Sequence, residues 1–364
     1  MTRMRKRIGD LLVLAIVLAV VLVACGDGAV ETTTSTAAPT STTGSSGDAT
    51  TTTSGPTTTA APQLESTSIR LATSPPEFDT ITDAKWIELL EEAGIEVETF
   101  EFETSPDTVR AVAAGEGDLV NTSPLAIMQY IEASGGGLTV IAVELLKTDY
   151  YLMATPDVAS LADLEGNIVG ISTPGDLSDS LTRLLFEEAG VDASTVEFAQ
   201  IGGTGARIAA LSEGQIAAGA THAADGLAAA EEFGLVSVAR YVDYIPDYAQ
   251  RFLAASPDWL EDHPVLAQLV VDKLLEAQRW AQDNKDQYIA MSEEFVEGIT
   301  PEIRSEVYDL FSDGFFSVNG GLETIQPTAD IEQRQGNLSV EFTDVSSWVD
   351  SSFVESFVER FGEY

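Results

Sequence analysis

The chain writes one strand–turn–helix unit twice, and this duplication restricts its fold more than any other feature. In the second copy, residues 167–172 form a short apolar run with β-branched members, which predicts a buried strand. Thr173-Pro174-Gly175 breaks the run, and Leu177, Leu181, Leu184 and Leu185 then recur at helical spacing. Gly190 follows, where a left-handed residue closes a helix. In the first copy, residues 69–75 precede a helix ending Glu91-Glu92-Ala93-Gly94-Ile95, against Glu187-Glu188-Ala189-Gly190-Val191 in the second. Residues 110–119 likewise match residues 207–216. The three matches keep their order at an offset of 96 to 99 residues. That period is far longer than a solenoid unit and predicts two similar lobes.

Around the repeats, strands alternate with helices. Strands are predicted over 68–73, 97–102, 118–122, 138–144, 196–200, 215–220 and 235–238, and residues 150–154 lead into the second lobe. Helices are predicted over 83–93, 107–114 with Asp107 as N-cap, 125–133, 204–211 with Thr204 as cap, and 223–233. A long helical region over 258–292 follows, then a helix opened by Pro301 and a last one carrying Val345, Trp348, Phe353, Phe357 and Phe361. This order gives an α/β fold with mostly parallel sheets and ligands at the carboxyl ends of the strands. The chain crosses to a second lobe near residue 150 and returns near residue 250. Lobe one is expected over 66–152 and 250–364, lobe two over 153–249, with the C-terminal helices on lobe one.

By repeat logic the turns at equivalent strand ends face one cleft. From lobe one they are Ser74-Pro75 and Thr122-Ser123. From lobe two they are the turn Thr173, Gly175, Asp176, Leu177 and Ser178, the turn Gly202, Gly203 and Thr204, and the pair Thr221-His222. Each precedes a helix, whose first N–H groups are free and carry partial positive charge. Such a set captures a small polar ligand without chemistry. Phe78 and Tyr151, with Trp86, are the aromatic residues placed to floor it. Neither Arg nor Lys lies within these turns, so an anion would rely on backbone donors and hydroxyls. Two histidines far apart and one cysteine do not spell a zinc site. Neither a G-x-S-x-G elbow nor a phosphate loop is present, and no cofactor is expected.

The first 65 residues read differently. Arg3, Arg5, Lys6 and Arg7 precede an apolar run of 13 residues, 11–23, too short to span a bilayer comfortably and suited to a signal peptide. Leu22-Val23-Ala24-Cys25 resembles the lipobox of bacterial lipoproteins, which makes Cys25, the only cysteine, the expected lipidated residue. Residues 26–65, rich in Thr, Ser, Ala, Gly and Pro, are expected to form a disordered tether. Lys and Arg number 18 against 59 Asp and Glu, a net charge of −41, which argues against nucleic acid and anionic lipid head groups as partners.

At the level of motifs, Ser160-Leu161-Ala162-Asp163-Leu164-Glu165-Gly166 followed by Val169-Gly170-Ile171 resembles an element of ABC-transporter solute-binding proteins. Residues 113–118, 207–216 and 264–284 are similar to three further elements of the branch that binds alkanesulfonates, taurine, nitrate and thiamine-pyrimidine precursors. The resemblance covers roughly residues 68–290. It implies a two-lobed clamshell of the periplasmic-binding-protein type (type II) that closes on a small organic or anionic solute and docks on ABC permease subunits. The implied protein is a monomer, anchored outside the cell membrane, and not an enzyme. Two alternatives stand beside it: an enzyme on the same fold, of the thiamine-pyrimidine synthesis type, whose cysteine cluster is absent here, and a ligand sensor or adhesion module.

Overall fold

Among the described residues, ten strands form two five-stranded sheets with the same internal plan. The computed structural model describes residues 63–339, 342 and 344–364. The basic start, the apolar run, Cys25 and the tether up to residue 62 lie outside the described residues. The first lobe runs β1 (Ser68–Thr73), α1 (Ile81–Glu92), β2 (Glu96–Glu101), α2 (Ser105–Ala113), β3 (Leu119–Thr122), α3 (Pro124–Ser134) and β4 (Thr139–Leu145). The chain then crosses through β5 (Tyr151–Ala154) into β6 (Ile168–Ile171), α4 (Leu177–Ala189), β7 (Glu197–Gln200), α5 (Thr204–Ser212), β8 (Ala218–Thr221), α6 (Ala223–Phe233) and β9 (Val236–Arg240). It returns through β10 (Arg251–Ala255) and ends in α7 (Pro257–Asp262), α8 (Pro264–Asp283), α9 (Lys285–Phe295), α10 (Pro301–Phe311), α11 (Ile325–Arg334) and α12 (Ser352–Phe361).

The first sheet has strand order β2-β1-β3-β10-β4 and the second β7-β6-β8-β5-β9. In each, the second strand pairs in parallel with both its neighbours, Ile69 opposite Val97 in one and Val169 opposite Phe198 in the other. In each, the fourth strand is antiparallel to both neighbours, and it is the strand that has just crossed between lobes. The duplicated words therefore correspond to duplicated topology: β1 and α1 match β6 and α4. The outermost strands β2 and β7 are largely exposed, as sheet edges are, while β3, β8, β5 and β10 are buried throughout.

Local signals decide most element ends. Gly190 closes α4 at φ 72°, a left-handed backbone that suits glycine. Thr104, not Asp107, caps α2: its hydroxyl accepts from the Asp107 N–H at 3.4 Å. Gly203, not Thr204, is the residue before α5. The helical region 258–292 is three helices, interrupted at His263 and Asn284, both off helical dihedrals. In α6, a side chain at Gly226 would collide with the Thr221 hydroxyl and with Met153, so the missing Cβ lets the helix lie close on β8 and β5.

The helices after β10 do not all serve the first lobe. The α8 and α12 helices do: Trp86, Leu266, Val270, Leu274, Phe353 and Phe357 share one core with Ile69 and Leu71. The α10 helix packs instead on α6 of the second lobe, placing Ile303, Val307 and Phe311 in a core with Ala223, Ala224 and Ala229. The alanines of α6 present a shallow apolar face, and the longer side chains of α10 fill it. Glu332 of α11 is buried and accepts from Ser180 of α4 at 2.9 Å and from Tyr248 at 2.5 Å. The C-terminal third thus holds both lobes. Among the described residues no helix is long and apolar enough to cross a membrane.

Trp86 is fully buried and its indole N–H donates to the Val270 carbonyl at 2.9 Å. Trp86→Ala is expected to cost about 3–5 kcal/mol through the cavity it leaves. Urea denaturation would read this as a fall in midpoint at unchanged slope; a loss under about 1 kcal/mol would contradict the packing described.

Candidate functional site

Strand ends from both lobes meet around a cavity of about 440 Å³. After β1 come Ser74, Pro75, Pro76, Glu77 and Asp79; after β2, Phe102, Glu103 and Ser105; at the end of β3, Thr122 and Ser123. The second lobe supplies Ser172, Asp176 and Leu177 after β6, Gly203, Thr204 and Arg207 after β7, and His222 and Asp225 after β8. Tyr150, Gln250 and Arg251 come from the two crossings. Ligand sites of open α/β sheets lie at such carboxyl ends.

His222 joins the lobes. Its Nε2 lies 2.8 Å from Glu77 Oε2 of the first lobe, and its Nδ1 lies 2.9 Å from Asp149 Oδ1 and 3.6 Å from Asp79 Oδ2. The Tyr150 ring meets the imidazole edge-on at 4.7 Å. Burial opposes the charge on His222, but Glu77, Asp149 and Asp79 outweigh it and hold its pKa well above 6.5. Burial likewise works against ionised Glu77, yet the charge of His222 and its hydrogen bond prevail, and the Glu77 carboxyl sits below its ordinary range. Asp79 has no such compensation. Burial, with Asp149 and Glu77 nearby, pushes it up to about 8 against the pull of His222 and Arg251. Asp225 is pushed up to about 6, chiefly by burial and then by Glu77.

Arg251 anchors the first-lobe wall. Its Nε donates to Glu144 at 2.7 Å, Nη1 to Ser74 Oγ at 2.8 Å, and Nη2 to Thr73 Oγ1 at 2.9 Å and Asp83 at 3.3 Å. Asn121 bridges the same two carboxylates, 3.0 Å from Asp83 and 2.7 Å from Glu144. Arg207 donates only to neutral acceptors: the Ala220 carbonyl at 2.5 Å, the Gly202 carbonyl, and Thr204 Oγ1 at 3.2 Å. At the start of α4 two hydroxyls and the Gly175 N–H are taken internally. Ser172 Oγ donates to Asp176 Oδ2 at 2.5 Å, Ser178 Oγ donates to Ser172 Oγ at 2.9 Å, and the Gly175 N–H donates to Asp179 at 2.9 Å. Four buried lining atoms make no hydrogen bond: Asp79 Oδ1, Ser123 Oγ, Asp176 Oδ1 and Gln250 Oε1.

Of the residues expected from sequence, Ser74, Pro75, Thr122, Ser123, Asp176, Leu177, Gly203, Thr204 and His222 line this cavity. Seven do not. Phe78 is buried against Tyr288 and Phe311, its centroid 5.4 Å from the former. Tyr151 opens β5, where successive side chains alternate, so it is its neighbour Tyr150 that lines the cavity. Thr173 and Gly175 lie on the outer side of their turn, half-buried and exposed. Ser178 turns inward to Ser172, Gly202 offers its carbonyl to Arg207, and Thr221 is covered by α6. Trp86 belongs to the core.

The turns themselves hold no Arg or Lys, but Arg207 of α5 and Arg251 of β10 also line the cavity, so an anion would not depend on backbone donors and hydroxyls alone. Arg207 stands three residues after Thr204, on the same helix face, which is a signal the spacing carried. Arg251 is a lone cation opening the apolar strand RFLAA. Glu77, Asp79 and Asp225 were also missed, though all three sit in or just after turns at strand ends. Glu77, Asp79 and His222 bring two carboxylate oxygens and a ring nitrogen within 4.8 Å of one another, a metal-capable set that linear spacing does not reveal.

Asp79 and His222 make the folded state pH-sensitive with one sign. Both have folded pKa values above their ordinary 3.8 and 6.5, so the folded state binds the proton more tightly than the unfolded chain. Their stabilisation is full below the ordinary values and is lost as pH rises, for Asp79 through about 8. The melting temperature is expected to fall between pH 6.5 and 9, and Asp79→Asn to flatten that fall. An unchanged slope in the variant would place the dependence on other groups.

The NMT1/THI5-like family model matches residues 84–287. No curated protein sequence matches the chain. The periplasmic aliphatic sulphonate binding protein SsuA from Escherichia coli superposes with TM-score 0.63 at 19% identity, over 79% of this chain and 92% of that one. SsuA from Xanthomonas axonopodis pv. citri bound to MOPS gives 0.64 at 18%, over 80% and 100%. The periplasmic nitrate-binding protein NrtA from Synechocystis PCC 6803 gives 0.67 at 14%, over 82% and 90%. These likenesses establish the two-lobed periplasmic-binding-protein fold. With more than half its length matched by the family model, the chain belongs to the NMT1/THI5-like family.

Proposed function

We propose that this chain is an extracytoplasmic solute-binding protein that captures a small solute between its lobes and delivers it to an ABC importer. The observation that carries this reading is the cavity itself. Repeat-related turns from both lobes wall it, and the chain passes between the lobes at two crossings. A solute that touches both walls binds the closed form better than the open one, and that difference in affinity drives closure. No bond is made or broken, so binding and release are the whole cycle. Solved relatives of the same fold, named for sulphonate and nitrate binding, agree with this class.

The anchor is part of the proposal. Lipid on Cys25 holds the protein at the outer face of the cell membrane, and residues 26–62 form the tether, since Leu64 already packs on the first-lobe core and Glu65 accepts from the Val265 and Leu266 N–H groups. A flexible chain of that length has a root-mean-square span of roughly 35 Å, which keeps the folded body within reach of a permease.

Thermal-shift measurements on the full-length protein against sulfonates, nitrate, pyrimidines, aromatic acids and polyamines test solute capture. A true solute at about 100 times its Kd stabilises the fold by about 2.7 kcal/mol. Replacing Ser123 with Ala and Thr204 with Val together, one from each lobe, is expected to weaken that binding at least tenfold while leaving a cooperative melt. Unaltered affinity in the double variant would move the site elsewhere. For the anchor, Cys25→Ser is expected to shift the protein from the membrane fraction to the soluble fraction and to abolish incorporation of labelled palmitate; retention of either would refute lipidation.

A further inference from the structure

Resting on the cleft reading above, we infer that the solute is a small organic cation with several N–H groups, an alkylamine or amidine, and not an anion. The first ground is the unsatisfied atoms. Asp79 Oδ1, Asp176 Oδ1 and Gln250 Oε1 make no hydrogen bond, on cavity-lining residues that are 2%, 7% and 2% exposed. The Gln250 amide is oriented by its own donation, Nε2 to Asp149 Oδ1 at 3.3 Å. All three atoms can only accept hydrogen bonds when the carboxylates are ionised. A sulfonate or nitrate carries no donor and leaves Gln250 Oε1 and an ionised Asp176 Oδ1 bare, at about 1–3 kcal/mol each. A ligand with N–H groups reaching both lobes satisfies them.

Charge is the second ground. Glu77, Asp79, Glu103, Asp176 and Asp225 line the cavity against three cations, Arg207, Arg251 and His222. Two of those cations are also held by carboxylates that do not line it, Arg251 by Asp83 and Glu144, His222 by Asp149. The acidic groups facing the space are therefore in excess. Third, the α4 N-terminus, the natural seat for an anion, is already flanked by Asp176 and Asp179, and the Gly175 N–H donates to Asp179.

Calorimetric titration and thermal shift of the full-length protein would use putrescine, agmatine and benzamidine, set against tetramethylammonium, ethanesulfonate, nitrate and Zn²⁺. The expected result is binding of at least one N–H cation. Asp79→Asn and Asp176→Asn should each weaken it at least tenfold. Each variant is nearly isosteric, and a cooperative melt without ligand confirms that it folds. Tetramethylammonium binding as well as agmatine, Zn²⁺ binding alone, no binding by any N–H cation, or indifference to both variants would each overturn the inference. Tight binding of ethanesulfonate or nitrate, lost in the Ser123/Thr204 double variant, would overturn it while leaving the solute-binding reading intact.

Discussion

One buried guanidinium sets the terms for the first lobe. Arg251 bonds to Glu144, Ser74, Thr73, Asp83 and the Asn121 carbonyl, groups delivered by β1, β3, β4, the start of α1 and the turn that enters the cavity. Removing one partner of such a buried pair costs ~3–5 kcal/mol, since it strands the charge that remains. The network has no spare cation: burial and Glu144 already push the Asp83 carboxyl well up. Arg251 thereby fixes where the turn after β1 lies, and with it Glu77 and Asp79.

His222 plays the matching part for the second lobe, but across the gap. It is offered by the end of β8, as Ser123 is offered by the end of β3, so the two positions are repeat equivalents. The copies have diverged at the point that matters. One places a hydroxyl there, the other an imidazole bound to carboxylates of the opposite lobe and of the first crossing. The pocket is therefore asymmetric, lined by carboxylates from both lobes and bridged by a histidine from the second to the first.

Much of this architecture was legible in the chain. Alternating strand and helix patterns, together with the repeated words, gave the two lobes and put nine expected turn residues around the cavity. The rest failed for identifiable reasons. Tyr151 was chosen over Tyr150 because an apolar run hides which residue of a period-two pair faces which side. Thr173 and Ser178 have the right chemistry, but a hydroxyl near a helix start as readily bonds its own turn as a ligand. Arg251 and Asp149 act through partners distant in sequence, and no local pattern announces a contact closed by topology. The seat of α10 on α6 was missed for the same reason: an amphipathic face does not say which lobe it covers.

The crossing strands carry a consequence for how the chain acquires its shape. β5 inserts between β8 and β9, so every strand of the second sheet lies within residues 151–240. β10 inserts between β3 and β4, so the first sheet keeps a gap until residue 255 is available. A chain emerging from its N-terminus can thus complete its later sheet before its earlier one. Until that moment β3 and β4 present unpaired edges, the kind of surface that invites mispairing with a neighbouring chain.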